Sequence, residues 1–240
     1  MSENIIKIES ISKNYSDITG YKVQLFENIT FDIEPKKITT ILAAKGRGKS
    51  TLLKMIAGID DDIKKPLRKR IYIPSRPSSF PWLSVLENIT FNQKNVDETE
   101  LKSIIKLVGL EGYEDHFPDN GSIGFRFRIS LARAIINKPE LILIDEAISV
   151  LSLKRRLELY SIMRKITSDK GIPILYSTSL VSEAIRLSDK IILIDQLPSK
   201  VVSEKTILID DEKRVDDKII FSISDYFAGE EISMLSIRFI

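Results

Sequence analysis

The period of apolar positions changes several times along the chain, and each change predicts an element. "IIKIESISKNY" and "KVQLFENITFDI" open the chain as β-rich runs, the second alternating apolar and polar residues. "KKITTIL" reads as a buried strand, and "STLLKMIAG" as a helix stopped at Gly58. A polar stretch, "DDDIKKPLRKR", then leads into a short strand, "IYIP". "LSVLENITF" and "ETELKSIIKLVGL" have helical spacing, and so does "FRISLARAIINK". "ELILIDE" is an apolar strand ending in two carboxylates, and "LKRRLELYSIMRKI" a long amphipathic helix. Strand "IPILYST", helix "VSEAIRLS" and strand "KIILID" follow. From about Ser199 the signals weaken to strand-like runs and two acidic clusters. Alternating strands and helices predict an α/β fold with a mainly parallel core sheet.

Chemistry enters at "AAKGRGKST", residues 43 to 51. A strand, a loop with Gly46 and Gly48, then Lys49-Ser50 opening a helix is the context of a phosphate-binding loop. Backbone N–H groups at the helix N-terminus face an anion, and the helix dipole favours it. Lys45, Gly46, Arg47, Gly48, Lys49, Ser50 and Thr51 are the expected nucleotide-binding residues. Lys49 is expected to reach the terminal phosphates, and the Ser50 hydroxyl to bind Mg2+. The pattern has glycine where this chain has Ala43, a hindrance if that position needs positive φ. In "LILIDE", Asp145 lies where a sheet presents its C-terminal edge to ligands. Asp145 is expected to hold the Mg2+ opposite Ser50. Glu146 is placed as the base for an attacking water.

Composition narrows the classes. The chain has 240 residues, enough for one large domain, and 36 Lys plus Arg against 34 acidic residues leave a net charge of +2. That balance and the lack of a basic arm speak against a nucleic-acid partner. With no cysteine, disulfides and thiolate sites are excluded. No apolar run approaches the roughly 20 residues that span a bilayer, so a cytoplasmic chain without direct membrane insertion is expected.

The order of motifs resembles the nucleotide-binding subunit of ABC transporters, over roughly residues 4 to 200. "SKNY" resembles the loop whose aromatic residue stacks on adenine, here Tyr15. "PSSFPWLSVLENITF" is similar to the segment after the Q-loop in importers of nitrate, sulfonate and taurine type. "ISLARAIINKPELILIDEAISVL" resembles the signature helix, the magnesium strand and the D-loop, and "DQLPSKVV" a stretch near the C-terminus of the same importers. The resemblance implies a P-loop NTPase core within residues 1–205 and an antiparallel β subdomain. It also implies an α-helical subdomain at about 76–137, with 206–240 as a C-terminal extension. ATP and Mg2+ are the implied cofactors. A membrane-spanning transporter subunit is the implied partner, met through Phe80 and Trp82, with the chain peripheral on the inner face of the cell membrane. A role for Trp82 in the helical core stands as the alternative.

Several positions depart from the family's pattern. Ser75 stands for the Q-loop glutamine, Ser179 for the histidine that contacts the γ-phosphate, and Ser152 for the D-loop aspartate. Ala147 replaces a proline beside Glu146. In the signature, Gly121-Ser122-Ile123-Gly124-Phe125 retains Ser122 and Gly124 but puts Ile123 where a glycine lets backbone approach phosphate. The stretch between Lys49 and Ser75 is shorter than in typical relatives, implying a trimmed β hairpin. The lone histidine, His116, is expected on the surface or at a cap. Losing one donor to a transition state typically costs about 100-fold to 1000-fold in rate. Nucleotide binding with impaired hydrolysis is therefore expected. ATP in this family lies between two cassettes, so pairing with a more intact second ATP-binding subunit is favoured over a homodimer. The alternatives are a non-catalytic nucleotide-binding subunit and a soluble ATPase unrelated to transport.

Overall fold

The computed structural model describes residues 5–16, 22–59, 69–118 and 122–229. Most of the polar stretch before β4, with the expected hairpin trimming, and Gly121 of the signature lie outside the described residues. So does the end of the C-terminal extension, residues 230–240.

Strands β1 (Ile6–Ser16) and β2 (Lys22–Ile33) pair antiparallel as a separate two-stranded sheet. Alternation in β2 buries Phe31 and Ile33, but Phe26 and Ile29 are three residues apart. A register shift between them, with Asn28 at φ 52, keeps both side chains on the buried face.

The main sheet has six strands in the order β4-β5-β6-β3-β7-β8. These are β3 (Ile38–Leu42), β4 (Arg70–Ile73), β5 (Leu141–Asp145), β6 (Ile174–Thr178), β7 (Lys190–Asp195) and β8 (Lys200–Thr206). All neighbours run parallel except β7 and β8. Every residue of β3, β5 and β6 is buried, Thr39, Thr40, Ser177 and Thr178 included, as in a parallel sheet covered on both faces.

The two faces of the sheet carry separate cores. On one, α1 (Lys49–Ala57) and the β1–β2 sheet bring Leu52, Leu53 and Met55 against Phe26, Ile29 and Ile33. On the other, α4 (Ile123–Ile136) and α5 (Leu153–Lys170) place Phe127, Leu131, Met163 and Ile166 in one cluster. The short α2 (Val85–Ile89) and α3 (Glu98–Val108) pack on α4, giving a helical layer over residues 85–136. Local chemistry sets these helix ends. Ser84 and Glu87 form a reciprocal capping box on α2, and Asp97 caps α3. Gly58 ends α1 at φ 70, the stop that its position predicts.

The C-terminal extension holds a 3-10 turn, Asp211–Val215, and a helix, α7 (Asp217–Gly229), where the sequence reads as weak strand. In "KIIFSIS", Ile220 and Ser224 are four residues apart and both buried, so packing on α6 (Val181–Leu187) decides for helix. Ile220 shares a cluster with Leu42, Val181 and Ala184, which ties the extension to the central strand. No helix among the described residues is long and apolar enough to cross a membrane.

Candidate functional site

Strand order places the ends of β5, β6 and β3 side by side, with Asp145 opposite Ser177 and Leu42 opposite Thr178. The loop from Leu42 to Lys49 leaves this edge, and the first turn of α1 faces it. Gly46 and Gly48 both sit at φ 83, a left-handed conformation that glycine adopts at no steric cost. Ala43 does not use a positive φ, so the expected hindrance is absent. Its methyl group is fully buried in the core with Leu52 and Leu53, and its N–H donates to the Thr178 carbonyl at 3.2 Å. The loop needs left-handed backbone only where it has glycine.

Lys49 is buried and folded back over the loop. Its Nζ donates to the carbonyls of Ala43 (2.8 Å) and Ala44 (3.1 Å) and lies 3.1 Å from Glu146 Oε1. Glu146 stands at φ 46, uncommon for a non-glycine residue and typical of strained positions at functional sites. Its carboxylate thus occupies the ammonium group that a phosphate would claim. An open cavity of about 500 Å3 surrounds this pair, lined by Tyr15, Lys45, Gly46, Gly48, Ser50 and Thr51 among others. Tyr15 is 45% exposed, with the Lys13 ammonium 5.3 Å from its ring centre.

Arg47 departs from its expected place. Its side chain does not line the cavity but forms an ion pair with Asp195 at the end of β7, 3.2 Å away. Its carbonyl accepts from Ser199 Oγ. Arg47 fastens the loop to the β7–β8 edge.

Asp145 is buried, and each of its oxygens accepts from a hydroxyl: Tyr72 at 3.0 Å and Ser177 at 2.8 Å. Neither donor was read from the sequence, and both come from strands flanking β5. A carboxylate has about four lone-pair sites, so each oxygen keeps capacity for a hydrated cation. Ser50, exposed in the first turn of α1, lines the cavity beside Lys49 and Glu146, while Asp145 is buried and does not line it. Hard oxygen donors beside backbone amides and a lysine suit a magnesium–phosphate pair.

Ser122 and Gly124 do not join this cavity. Ser122 caps α4, accepting from Phe125 N–H, and both line a separate cleft with Gly109, Arg128, Leu151 and Arg155. Ile123 opens α4 next to them, half-buried. Ser152 is the exposed N-cap of α5, Ser75 is exposed after β4, and Ser179 is half-buried just beyond β6. His116 is an exposed turn residue packed on Tyr113.

A third feature lies between β4 and α2. Trp82 is 71% exposed, which removes the core alternative, and its ring meets Phe80, which meets Phe91. Asn88, fully buried, holds this loop. It accepts from Phe80 N–H and donates to the carbonyls of Phe80, Leu83 and Ser84. Arg133 stacks over the Phe80 ring.

Beneath Ser179, Glu183 is fully buried and accepts from Tyr160 (2.8 Å) and Thr178, with Arg156 3.7 Å away. Burial pushes its carboxyl above the usual range, opposed by those donors and Arg156. Tyr160 and Tyr176 beside it are pushed well up by burial and by that carboxylate. A raised acid keeps in the fold a proton that the unfolded chain releases at lower pH. Its stabilising contribution is complete below the ordinary value and is lost as pH rises through the folded one. Urea denaturation in steps upward from pH 4.5 is therefore expected to show falling stability across that window, and Glu183→Gln to flatten the fall. An unchanged slope in the variant would remove Glu183 as its source.

A family model for ABC transporters matches residues 26–149. The chain is 34% identical to the aliphatic sulfonates import ATP-binding protein SsuB of Bacillus cereus, over 82% of this chain and 83% of that protein. It is 33% identical to the spermidine/putrescine import ATP-binding protein PotA of Clostridium novyi, over 82% of this chain and 61% of that one. Among solved structures it superposes on a cassette of the cbiONQ ABC transporter complex from Clostridium perfringens with a TM-score of 0.73. That match has 19% identity and covers 93% of this chain and 96% of the other. A dimeric ATP-binding cassette bound to ADP and Pi superposes at 0.69, with 21% identity, over 86% of this chain and all of that one.

Proposed function

The chain belongs to the ABC transporter family, and from that premise we propose that it is the ATP-binding subunit of an importer. ATP with Mg2+ is its ligand. Lys49 and the loop amides take the phosphates, Tyr15 takes the base, and Ser50 and Asp145 hold the cation. The observation that carries this reading is the meeting of the phosphate loop, Asp145 and Glu146 at one sheet edge, with Ser122 and Gly124 presented in a second cleft. A cassette that shares its nucleotide with a second cassette needs both surfaces. Trp82, Phe80 and Phe91 supply an exposed aromatic anchor for a membrane-spanning subunit, which keeps the chain peripheral on the inner face.

Hydrolysis at this chain's own site is weak in this reading. Ser179 has too short a side chain for the reach of histidine, and Ser75 too short a one for that of glutamine. Ile123 puts a branched side chain at the phosphate-facing turn. A more intact partner cassette then restores one sound half to each site, so we place the chain in a heterodimer. The sequence range 1–205 is the ATP-binding domain, with the extension from 206 as an addition to it. The runner-up is a non-catalytic nucleotide-binding subunit, favoured by the pairing of Glu146 with Lys49.

Two measurements on the complex purified in mild detergent test this. Its subunits should include a membrane-spanning chain and a second, different ATP-binding chain; two copies of this chain alone would overturn the heterodimer. Glu146→Gln should leave nucleotide bound and slow turnover of the complex by the share that this chain's own site supplies, since losing a general base costs about 100-fold or more at that site. Unchanged turnover would overturn Glu146 as a base and leave the runner-up standing.

A further inference from the structure

A second charged cavity, of about 350 Å3, opens at the other edge of the main sheet. Lys37 just before β3 and Asp189 just before β7 mark the N-terminal ends of the strands, away from the phosphate loop. Helix α5 forms one wall with Arg164 and Lys165, and the 3-10 turn of the C-terminal extension forms another with Asp211 and Arg214.

Its charges do not balance. Arg164 and Arg214 share the same two carboxylates. Asp211 Oδ1 lies 2.6 Å from Arg164 Nε and 3.4 Å from Arg214 Nε, and Asp189 Oδ1 lies 3.5 and 3.8 Å from their Nη atoms. Arg186, also on the wall, pairs with Asp217. Lys37 and Lys165 stand exposed at the rim. Leaving Lys36 aside, five cations thus face three carboxylates, an excess of two positive charges around one cavity. Arg214 is 96% buried by accessible surface, being only 4% exposed. Its guanidinium donates to the carbonyls of Ile185, Arg186, Ser188 and Ile209, while burial and the neighbouring Arg164 bring it down to about 10.

We propose that this cavity is a binding site for a small dianion, a phosphate or sulfate oxyanion either free or as the head of a small organic monoester. The excess positive charge favours such an anion, and Lys37 and Lys165 at the rim steer it inward. Leu157, Tyr160 and Val215 line the cavity and offer an apolar wall to an organic tail. The ligand would bridge the β2–β3 turn, α5 and the C-terminal extension, so its occupancy would be read as stability of the extension. The site is independent of the phosphate loop.

Calorimetric titration of the full chain saturated with ADP, so that the phosphate loop is filled, tests the proposal. Ionic strength is held constant with chloride while inorganic sulfate or phosphate is added. One binding event per chain is expected, weakened at least tenfold by Lys37→Glu with Lys165→Glu, with ADP affinity unchanged. Both residues are exposed, so the fold should tolerate the pair, and retained ADP binding shows that it does. Phenyl phosphate binding more tightly than inorganic phosphate would assign an organic monoester, and equal affinity a free ion. No binding of any of the three anions to the ADP-filled chain, or equal affinity in the double variant, would overturn the site.

Discussion

Lys49→Ala is expected to weaken nucleotide binding by about 100-fold or more, with the fold intact. A hydrogen bond to a charged group contributes about 1.5–3 kcal/mol, or roughly 10-fold to 150-fold in affinity. Here the loss is compounded by what the lysine neutralises. Nζ lies 3.1 Å from Glu146 Oε1 and donates to the carbonyls of Ala43 and Ala44. Remove it, and phosphate oxygens meet an uncompensated carboxylate and two carbonyl oxygens. The double variant Lys49→Ala, Glu146→Gln should therefore bind better than Lys49→Ala alone, because the repulsive charge is gone. Titration with a fluorescent nucleotide reads both effects, with circular dichroism as the control on folding. A single-variant loss below about threefold would mean that the loop amides and the helix dipole hold the phosphates unaided.

How much of this was legible in the sequence depends on whether a feature is local. The phosphate loop is a backbone device spelled by neighbouring residues, so its place after a buried strand and before a helix could be read directly. Asp145 and Glu146 were legible because the apolar run of β5 ends on them. What could not be read were partners distant along the chain. Tyr72 meets Asp145 across 73 residues, and Arg47 finds Asp195 only once β7 lies beside β3. Nothing near Arg47 in the sequence distinguishes a side chain aimed at phosphate from one aimed at the next strand. Trp82 was ambiguous because an aromatic residue in a helical layer serves equally well as core or as contact. Ala43 misled for a related reason. Its departure from the motif looked like a lesion in the loop, whereas the backbone there is ordinary and the methyl group fills the core. The helix α7 was hidden because three β-branched isoleucines and a phenylalanine in "KIIFSIS" favour a strand, and only the buried face against α6 overrides that preference.

The two loop glycines, alike in the sequence, should respond very differently to a single added methyl group. Both sit at φ 83, so Gly46→Ala and Gly48→Ala share a backbone strain of about 1–3 kcal/mol. Their surroundings differ. A Cβ on Gly46 would meet nothing within 4 Å, while one on Gly48 would lie 2.6 Å from Phe26 Cζ and 2.9 Å from Leu25 Cδ2. Phe26 cannot retreat, because it is fully buried in the cluster with Ile29, Leu52 and Leu53, and its strand is bonded to Ser199 on both sides. Overpacking of a tight core adds about 1–3 kcal/mol. Gly48→Ala should then cost about 2–6 kcal/mol in urea denaturation, and Gly46→Ala only the strain common to both. Nucleotide affinity should follow the same order, since Gly48 is the N-cap of α1 and moving it moves the amides that face phosphate. Phe26→Leu supplies the decisive control. It removes the ring edge, so in a double-mutant cycle the penalty of Gly48→Ala should shrink while that of Gly46→Ala stays the same. Equal penalties for the two glycines, or no coupling to Phe26, would mean that the loop moves freely on its sheet, and that rigid presentation of the amides is not how this site holds phosphate.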